Sequence, residues 1–293
     1  GSGPDRSLLH PCDPTGRGAR FLLPVLPARR GGRLCIRWIR LFRMEVHQLI
    51  RSGSFGLYAW IMLFGLIFGG WLWSRRWKTQ PHLFGIYVGG MCGALLGAKV
   101  LYLISEGYLH FSDENWIFYV ASGKTIVGAL LGGYVGVELA KKLLGHREAT
   151  GDWFAVIVPA GIATGRVGCL RYGCCLGESC DPDAWYALVD RTGIARWPAV
   201  PLELGFNLLF LIVILPIRKA GVGIGQLFHA YLVSYGAFRL WHGFHRNTPD
   251  LILGLSGYQL GAIALILLGG VMGYLRSREK KKMVGQPVTA QDV

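Results

Sequence analysis

The chain has 293 residues, of which 52% are hydrophobic and only 16% charged, with ten Trp, 43 Gly and a formal net charge of +14. This balance excludes a soluble globular domain and points to an all-α, polytopic integral membrane protein, since a helix needs about 20 apolar residues to cross roughly 30 Å of hydrocarbon. The cationic excess does not imply a nucleic-acid partner, because its densest run lacks helical or aromatic patterning.

That run is residues 1–43, with nine Arg and two Asp, a net of +7 and half of the total. It has no uninterrupted apolar region or small-residue cleavage site of the signal-peptide kind. It reads as a basic leader, either foreign to the native protein or a disordered arm, because Met44 stands directly before the membrane domain. The domain itself is expected over 44–276, with a basic cytoplasmic tail over 277–293.

Seven spans are expected, near Phe55–Trp73, Leu83–Ile104, Ile117–Leu139, Trp153–Tyr172, Leu202–Ile217, Leu227–Phe244 and Leu255–Leu275. Glycines at 56, 65, 69 and 70 allow the first to pack closely. In the second, Gly89, Gly93 and Gly97 form a stripe of small residues, and Lys99 is an intramembrane cation that either snorkels to the interface or binds a lipid phosphate. The third is interrupted by Ser122-Gly123-Lys124, which leaves a re-entrant start open, and carries Gly128, Gly132, Gly133 and Gly136. Cations follow the first, third, fifth and seventh spans, as Arg75, Arg76 and Lys78, then Lys141, Lys142 and Arg147, then Arg218 and Lys219, then Arg276, Arg278 and Lys280 to Lys282. Loops rich in Lys and Arg stay cytoplasmic, so the expected topology is N-terminus outside and C-terminus inside.

The fourth span ends in GIATGRVGCLRYGCCLGESC, residues 161–180. An arginine at this depth costs about 2.5–3.5 kcal/mol on insertion scales, so Arg166 is expected to serve function. Gly165 and Gly168 beside it leave the backbone open to a ligand. In the sixth span, Tyr235, Arg239, His242 and Arg246 are spaced by four, three and four, and therefore share one helix face. The fourth and sixth spans run in the same direction, so Arg166, Arg239 and Arg246 lie toward the same outer half and can converge on one anion. The guanidinium fork suits phosphate, and at that depth the phosphate is a phospholipid head group.

TGRVGCLRYGCCLG (164–177) resembles GRxGNFxNxExxG of the prolipoprotein diacylglyceryl transferase family, YGAFRLWHGFHR (235–246) resembles its YGxxRFxxEFxR, and WPAVPLE (197–203) its HPxQLYE. GLSGYQL (254–260) is similar to the start of that family's last helix, and the likeness covers residues 54–275 with seven helices in the same orientation. It implies transfer of diacylglyceryl from phosphatidylglycerol to the lipobox cysteine of prolipoproteins at a bacterial plasma membrane, with the site facing its outer half and no cofactor. On this resemblance Arg239, Tyr235 and Glu203 belong to the catalytic set, while Arg166, Arg246, Gly165, Gly168 and Gln259 bind the lipid; His242 joins the first group and Lys99 the second on their own placement in the chain. The chemistry agrees, because a thiolate that displaces glycerol phosphate at carbon needs a lowered thiol pKa and a stabilised departing phosphate.

The chain also departs from the pattern. Val127 stands where the family's SFHGGLLG has histidine, Cys169 and Cys174 replace its Asn and Glu, Gly243 replaces the Glu of its sixth-helix motif, and Phe55 replaces its early Tyr. His242 is the residue that can stand in as a base. The competing reading is a membrane paralogue that binds an anionic lipid, or has a Cys/His redox or metal role, without this transfer. For the cysteines the first expectation is a structural disulfide from Cys180 to Cys174 or Cys175. Inert packing comes next, and zinc or thiol catalysis last, since a metal would call on His242 or His245 as further ligands.

Overall fold

The structure is a computed structural model that describes residues 82–112, 123–146 and 150–284, with isolated positions at 67, 74, 116, 117 and 120. All belong to the unit formed by residues 42–293, and the expectations for the leader and for the first span fall outside the described residues, Ile67 apart. Among the described residues six long helices follow one another: α1 (His82–Ser105), α2 (Ile126–Leu143), α3 (Gly151–Tyr172), α4 (Ala199–Lys219), α5 (Leu227–Gly243) and α6 (Gly257–Val284). Four carry stretches long and apolar enough to cross a membrane, Leu83–Ser105, Gly151–Tyr172, Ala199–Lys219 and Gly257–Arg278, so this is a mostly helical membrane protein. The other two, α2 and α5, have 18 and 17 residues, about 27 and 26 Å at 1.5 Å per residue.

The helices pack in pairs. Between α1 and α2, a Cβ added at Gly97 would stand 2.3 Å from the Gly128 carbonyl oxygen, and one at Gly132 would stand 2.2 Å from that of Gly93. Two backbones can approach so closely only without side chains, and the small-residue stripe of the sequence is therefore a helix–helix seam. The third span is broken in the same region. Gly123–Thr125 is non-helical and α2 begins only at Ile126, in line with the interruption read at Ser122-Gly123-Lys124, while Trp116, Ile117 and Val120 before it are helical. The broken ladder is satisfied by Lys99, whose Nζ donates to the carbonyls of Val120 and of Gly123, the latter at 2.7 Å. Lys99 thus closes a gap in backbone bonding.

Helix α4 starts earlier than its apolar run, at Ala199, because Pro201 in a first turn forfeits no intrahelical bond. Helix α6 outlasts its own run and carries the basic residues from Arg276 onward as a continuation of the helix. The core between α2, α3, α5 and α6 is aromatic: Phe228, Tyr231 and Tyr235 on α5 stack with centroids 6.1 and 5.5 Å apart. Between α3 and α4 the chain forms a small cap, β1 (Leu188–Val189) paired antiparallel with β2 (Ala195–Arg196). The Glu178 N–H donates to the His245 carbonyl at 3.2 Å, which fixes this cap to the end of α5.

Candidate functional site

The site is organised by Glu203, on the second turn of α4 and 1% exposed. A carboxylate so buried persists only if its oxygens are met by charge or by donors. Its Oε2 receives Arg166 of α3 at 2.8 Å and Arg239 of α5 at 3.0 Å, while Oε1 accepts the Tyr235 hydroxyl at 2.7 Å. Below this, Asn207 donates to the Glu203 carbonyl at 2.8 Å and accepts the Tyr231 hydroxyl at 2.8 Å. The sequence-predicted Arg166, Arg239, Tyr235 and Glu203 are therefore in one bonded cluster. Tyr231 and Asn207 were missed. Each lies four residues from a named member on its helix, and that spacing was the available signal.

The charges do not balance. Glu203 is the one carboxylate in contact with these arginines among the described residues, and it neutralises one guanidinium of two. Buried Nε atoms of both Arg166 and Arg239 have no hydrogen-bond partner, and a third arginine, Arg246, follows the end of α5. Burial, then the charge of Arg239, pushes the Arg246 guanidinium below its ordinary pKa. Three cations around one anion leave an excess of positive charge that a further anion would offset.

His242 is fully buried one turn beyond Arg239 and stacks on Phe238 at 5.2 Å, with neither ring nitrogen hydrogen-bonded. Gln259 at the start of α6 uses Oε1 to accept the Ser256 N–H at 2.9 Å and leaves a buried Nε2 unpartnered. Its side chain fills the space of the family's missing glutamate, since a Cβ at Gly243 would meet the Gln259 Cγ at 2.5 Å. Val127, at the place of the family's histidine, is fully buried apolar core, and a Cβ at Gly261 would come within 3.0 Å of it. Of the predicted glycines, Gly165 and Gly168 flank Arg166 on α3, where Gly168 is buried.

The cysteines are arranged otherwise than the sequence suggested. Helix α3 ends at Gly173 with φ +73°, and its N–H and that of Cys174 both return to the Cys169 carbonyl, at 2.8 and 3.2 Å. Cys175 also has a positive φ, +61°. These two left-handed residues fold the chain back on the last helical turn, so the sulfurs of Cys169, Cys174 and Cys175 lie within 4.8 Å of one another. Cys180 is not in the group; its N–H pairs with the Ala195 carbonyl at 2.9 Å, and all five described cysteines are free thiols. The expected bridge from Cys180 to Cys174 or Cys175 is not formed here; of the four cysteines that end the fourth span in the sequence, Cys169, Cys174 and Cys175 come together and Cys180 stands apart. Hydrogen bonds from Cys169 and Cys174, with Arg166 and Arg246 nearby, hold the Cys175 thiol below its ordinary pKa. The Arg166 Nη1 is 3.8 Å from the Cys169 sulfur, which joins the cluster to the arginines. A cleft lined by the three cysteines with Arg196, Trp197 and Pro201 opens beside it.

Comparison with known proteins bears on this arrangement. The sequence profile described as Prolipoprotein diacylglyceryl transferase matches residues 47–275. The phosphatidylglycerol–prolipoprotein diacylglyceryl transferase of Photobacterium profundum is 30% identical over 230 residues, 71% of this chain and 83% of that protein. The protein of the same name from Vibrio vulnificus is 30% identical over 214 residues, 68% and 77% of the two chains. A second such transferase from Clostridium perfringens is 27% identical over 210 residues, 69% and 81%. With most of its length matched and its arginines gathered on one buried carboxylate, this chain belongs to the prolipoprotein diacylglyceryl transferase family.

Proposed function

We propose that this chain is a transferase that moves the diacylglyceryl group of phosphatidylglycerol to the lipobox cysteine thiol of prolipoproteins. The observation that carries this reading is the buried cationic excess: Arg166 and Arg239 share Glu203 and still present uncommitted Nε donors. A phosphodiester would complete their charge. As the thiolate attacks the glyceryl carbon, the C–O bond to phosphate breaks and charge grows on the phosphate oxygens, where preorganised guanidinium donors stabilise it. Both oxygens of Glu203 are already engaged, so its role is to aim the arginines, with Tyr235 holding the carboxylate in turn. His242, free at both ring nitrogens, carries the proton from the thiol to the departing glycerol phosphate.

The same reading places seven helices in a bacterial plasma membrane, multi-pass, N-terminus outside and C-terminus in the cytoplasm, with the site in the outer half. The alternation of cationic loops supports it. The testing experiment is phosphatidylglycerol-dependent lipidation of a lipobox peptide by wild type and by Arg166→Lys with Arg239→Lys. An ammonium cannot reproduce two parallel N–H bonds, so the double variant is expected to lose at least about 100-fold in kcat/KM. Full activity in that variant would remove the mechanism.

A further inference from the structure

The family's acid/base positions are vacated here by Val127 and Gly243, yet three thiols stand beside the arginines, and the reading above gives them no task. We propose that Cys169, Cys174 and Cys175 form a zinc site with an open fourth position, and that this position takes the thiol of the acceptor protein. The inference rests on the transferase reading for the identity of that fourth ligand, but not for the metal site itself.

Geometry is the first support. Four-coordinate zinc with Zn–S bonds of about 2.3 Å sets its sulfurs about 3.8 Å apart. The three sulfurs already lie within 4.8 Å of one another, so small rotations about Cα–Cβ would close the site. They are brought there by backbone, since Gly173 and the non-glycine Cys175 both occupy the left-handed region that side chains rarely adopt. Two of the ligands follow the C-terminal end of α3, and the third is on its last turn, where the helix dipole favours a cation.

Charge is the second. Glu203 cancels one of the three arginines and leaves two positive charges. A zinc ion held by three thiolates carries one negative charge and a phosphodiester carries another, so metal and lipid together offset the two positive charges before the acceptor thiol joins. The N–H of Arg166 near the Cys169 sulfur is the kind of outer contact that steadies a thiolate ligand. Access is the third. Cys169 is buried, Cys174 partly so and Cys175 exposed, which leaves the open coordination position on the side of the cleft.

Soft thiolates select zinc or copper(I), and the reaction is an alkylation with no change of oxidation state, so zinc is the ion assigned. A thiol that joins as the fourth ligand gives up its proton. That proton passes through His242 to the phosphate oxygen released from carbon, the new C–S bond takes the place of the broken C–O bond, and the zinc keeps its charge throughout. The metal supplies the thiol activation that the family's missing histidine would otherwise assist.

The full chain, purified in nanodiscs without chelator, is tested for metal by mass spectrometry. About one zinc per chain is expected in wild type and in Cys180→Ser, with at least a tenfold fall in Cys169→Ser and Cys175→Ser. Chelation of wild type and return of zinc controls for misfolding in the variants. Replacement by cobalt should give thiolate-to-metal charge transfer, and a cysteine-containing lipobox peptide should shift the cobalt bands where the matching serine peptide does not. A metal-free protein, a disulfide within the trio, or zinc retained after all three cysteines are changed would overturn the site. Lipid transfer by the zinc-free enzyme would sink this inference and leave the transferase reading standing, whereas bound zinc and peptide without transfer would do the reverse.

Discussion

Glu203→Gln is the most informative single change, because it keeps the shape of the side chain and removes the only carboxylate between Arg166 and Arg239 among the described residues. The amide oxygen can still accept one donor, but the amide nitrogen now faces either a guanidinium or the Tyr235 hydroxyl. Wild type has three contacts of 2.7–3.0 Å to a buried charge, and loss of one partner of such a pair costs about 3–5 kcal/mol. At roughly 2–4 °C per kcal/mol for a chain of this size, the apparent Tm in detergent is expected to fall by about 6–20 °C. The same reasoning makes the variant more dependent on added anion than wild type. Phosphatidylglycerol or glycerol phosphate should recover part of the loss, since either restores negative charge beside the arginines, while a neutral diacylglycerol should not. Paired with Arg239→Gln, the two effects should be non-additive by about 1–3 kcal/mol. A Glu203→Gln protein as stable and as active as wild type, with no anion effect, would refute the charge argument.

Other consequences follow from single contacts. Gly97→Ala is expected to destabilise by about 1–3 kcal/mol by overpacking, measured by thermal unfolding, because its Cβ would press on the Gly128 carbonyl across α1 and α2. Gly243→Glu, which restores the family residue, should lower activity alone and be better tolerated with Gln259→Ala, since the Gln259 side chain occupies the space a new one needs. In the cap, burial alone would raise the Asp190 pKa, but hydrogen bonds from Thr192, Arg196 and the Ile194 and Thr192 N–H groups win and hold it below the ordinary 3.8. Its contribution is therefore complete above the unfolded value, about 3.9, and is lost as pH falls through the lower folded value. Limited proteolysis of the β1–β2 turn should accelerate only below about pH 4 in wild type and already at neutral pH in Asp190→Asn.

Much of this was legible in the sequence because periodicity is a one-dimensional signal. The interval from Tyr235 to Arg239 on one helix placed two members of the cluster, and the cost of Arg166 in an apolar run marked the third. Glu203 came only through the family resemblance, since a carboxylate at the start of an apolar helix looks like an interfacial residue until its partners on α3 and α5 are known. The cysteine trio was legible as part of a cluster of four at the end of the fourth span, but not as the three that meet. Its spacing of five and one matches no metal pattern, and what unites it is a pair of left-handed backbone angles, one of them at a residue that rarely adopts such an angle. The interruption at Ser122-Gly123-Lys124 was visible in the chain, but that Lys99 bonds the Val120 and Gly123 carbonyls beside it was not, because the contact lies more than 20 residues away in sequence.

The seam of α1 and α2 also limits how a lipid reaches Glu203. At Gly93, Gly97, Gly128 and Gly132 backbone meets backbone, with no rotamers to re-pack and carbonyl oxygens against the neighbouring glycines. Sliding one helix along the other would drive an oxygen into a Cα, and separating them would forfeit the close backbone packing that only glycines allow. The two helices therefore travel as one stiff plank. A two-tailed substrate has to pass beside this plank, where side chains can yield, and the direction of its approach is set by glycines that never touch it.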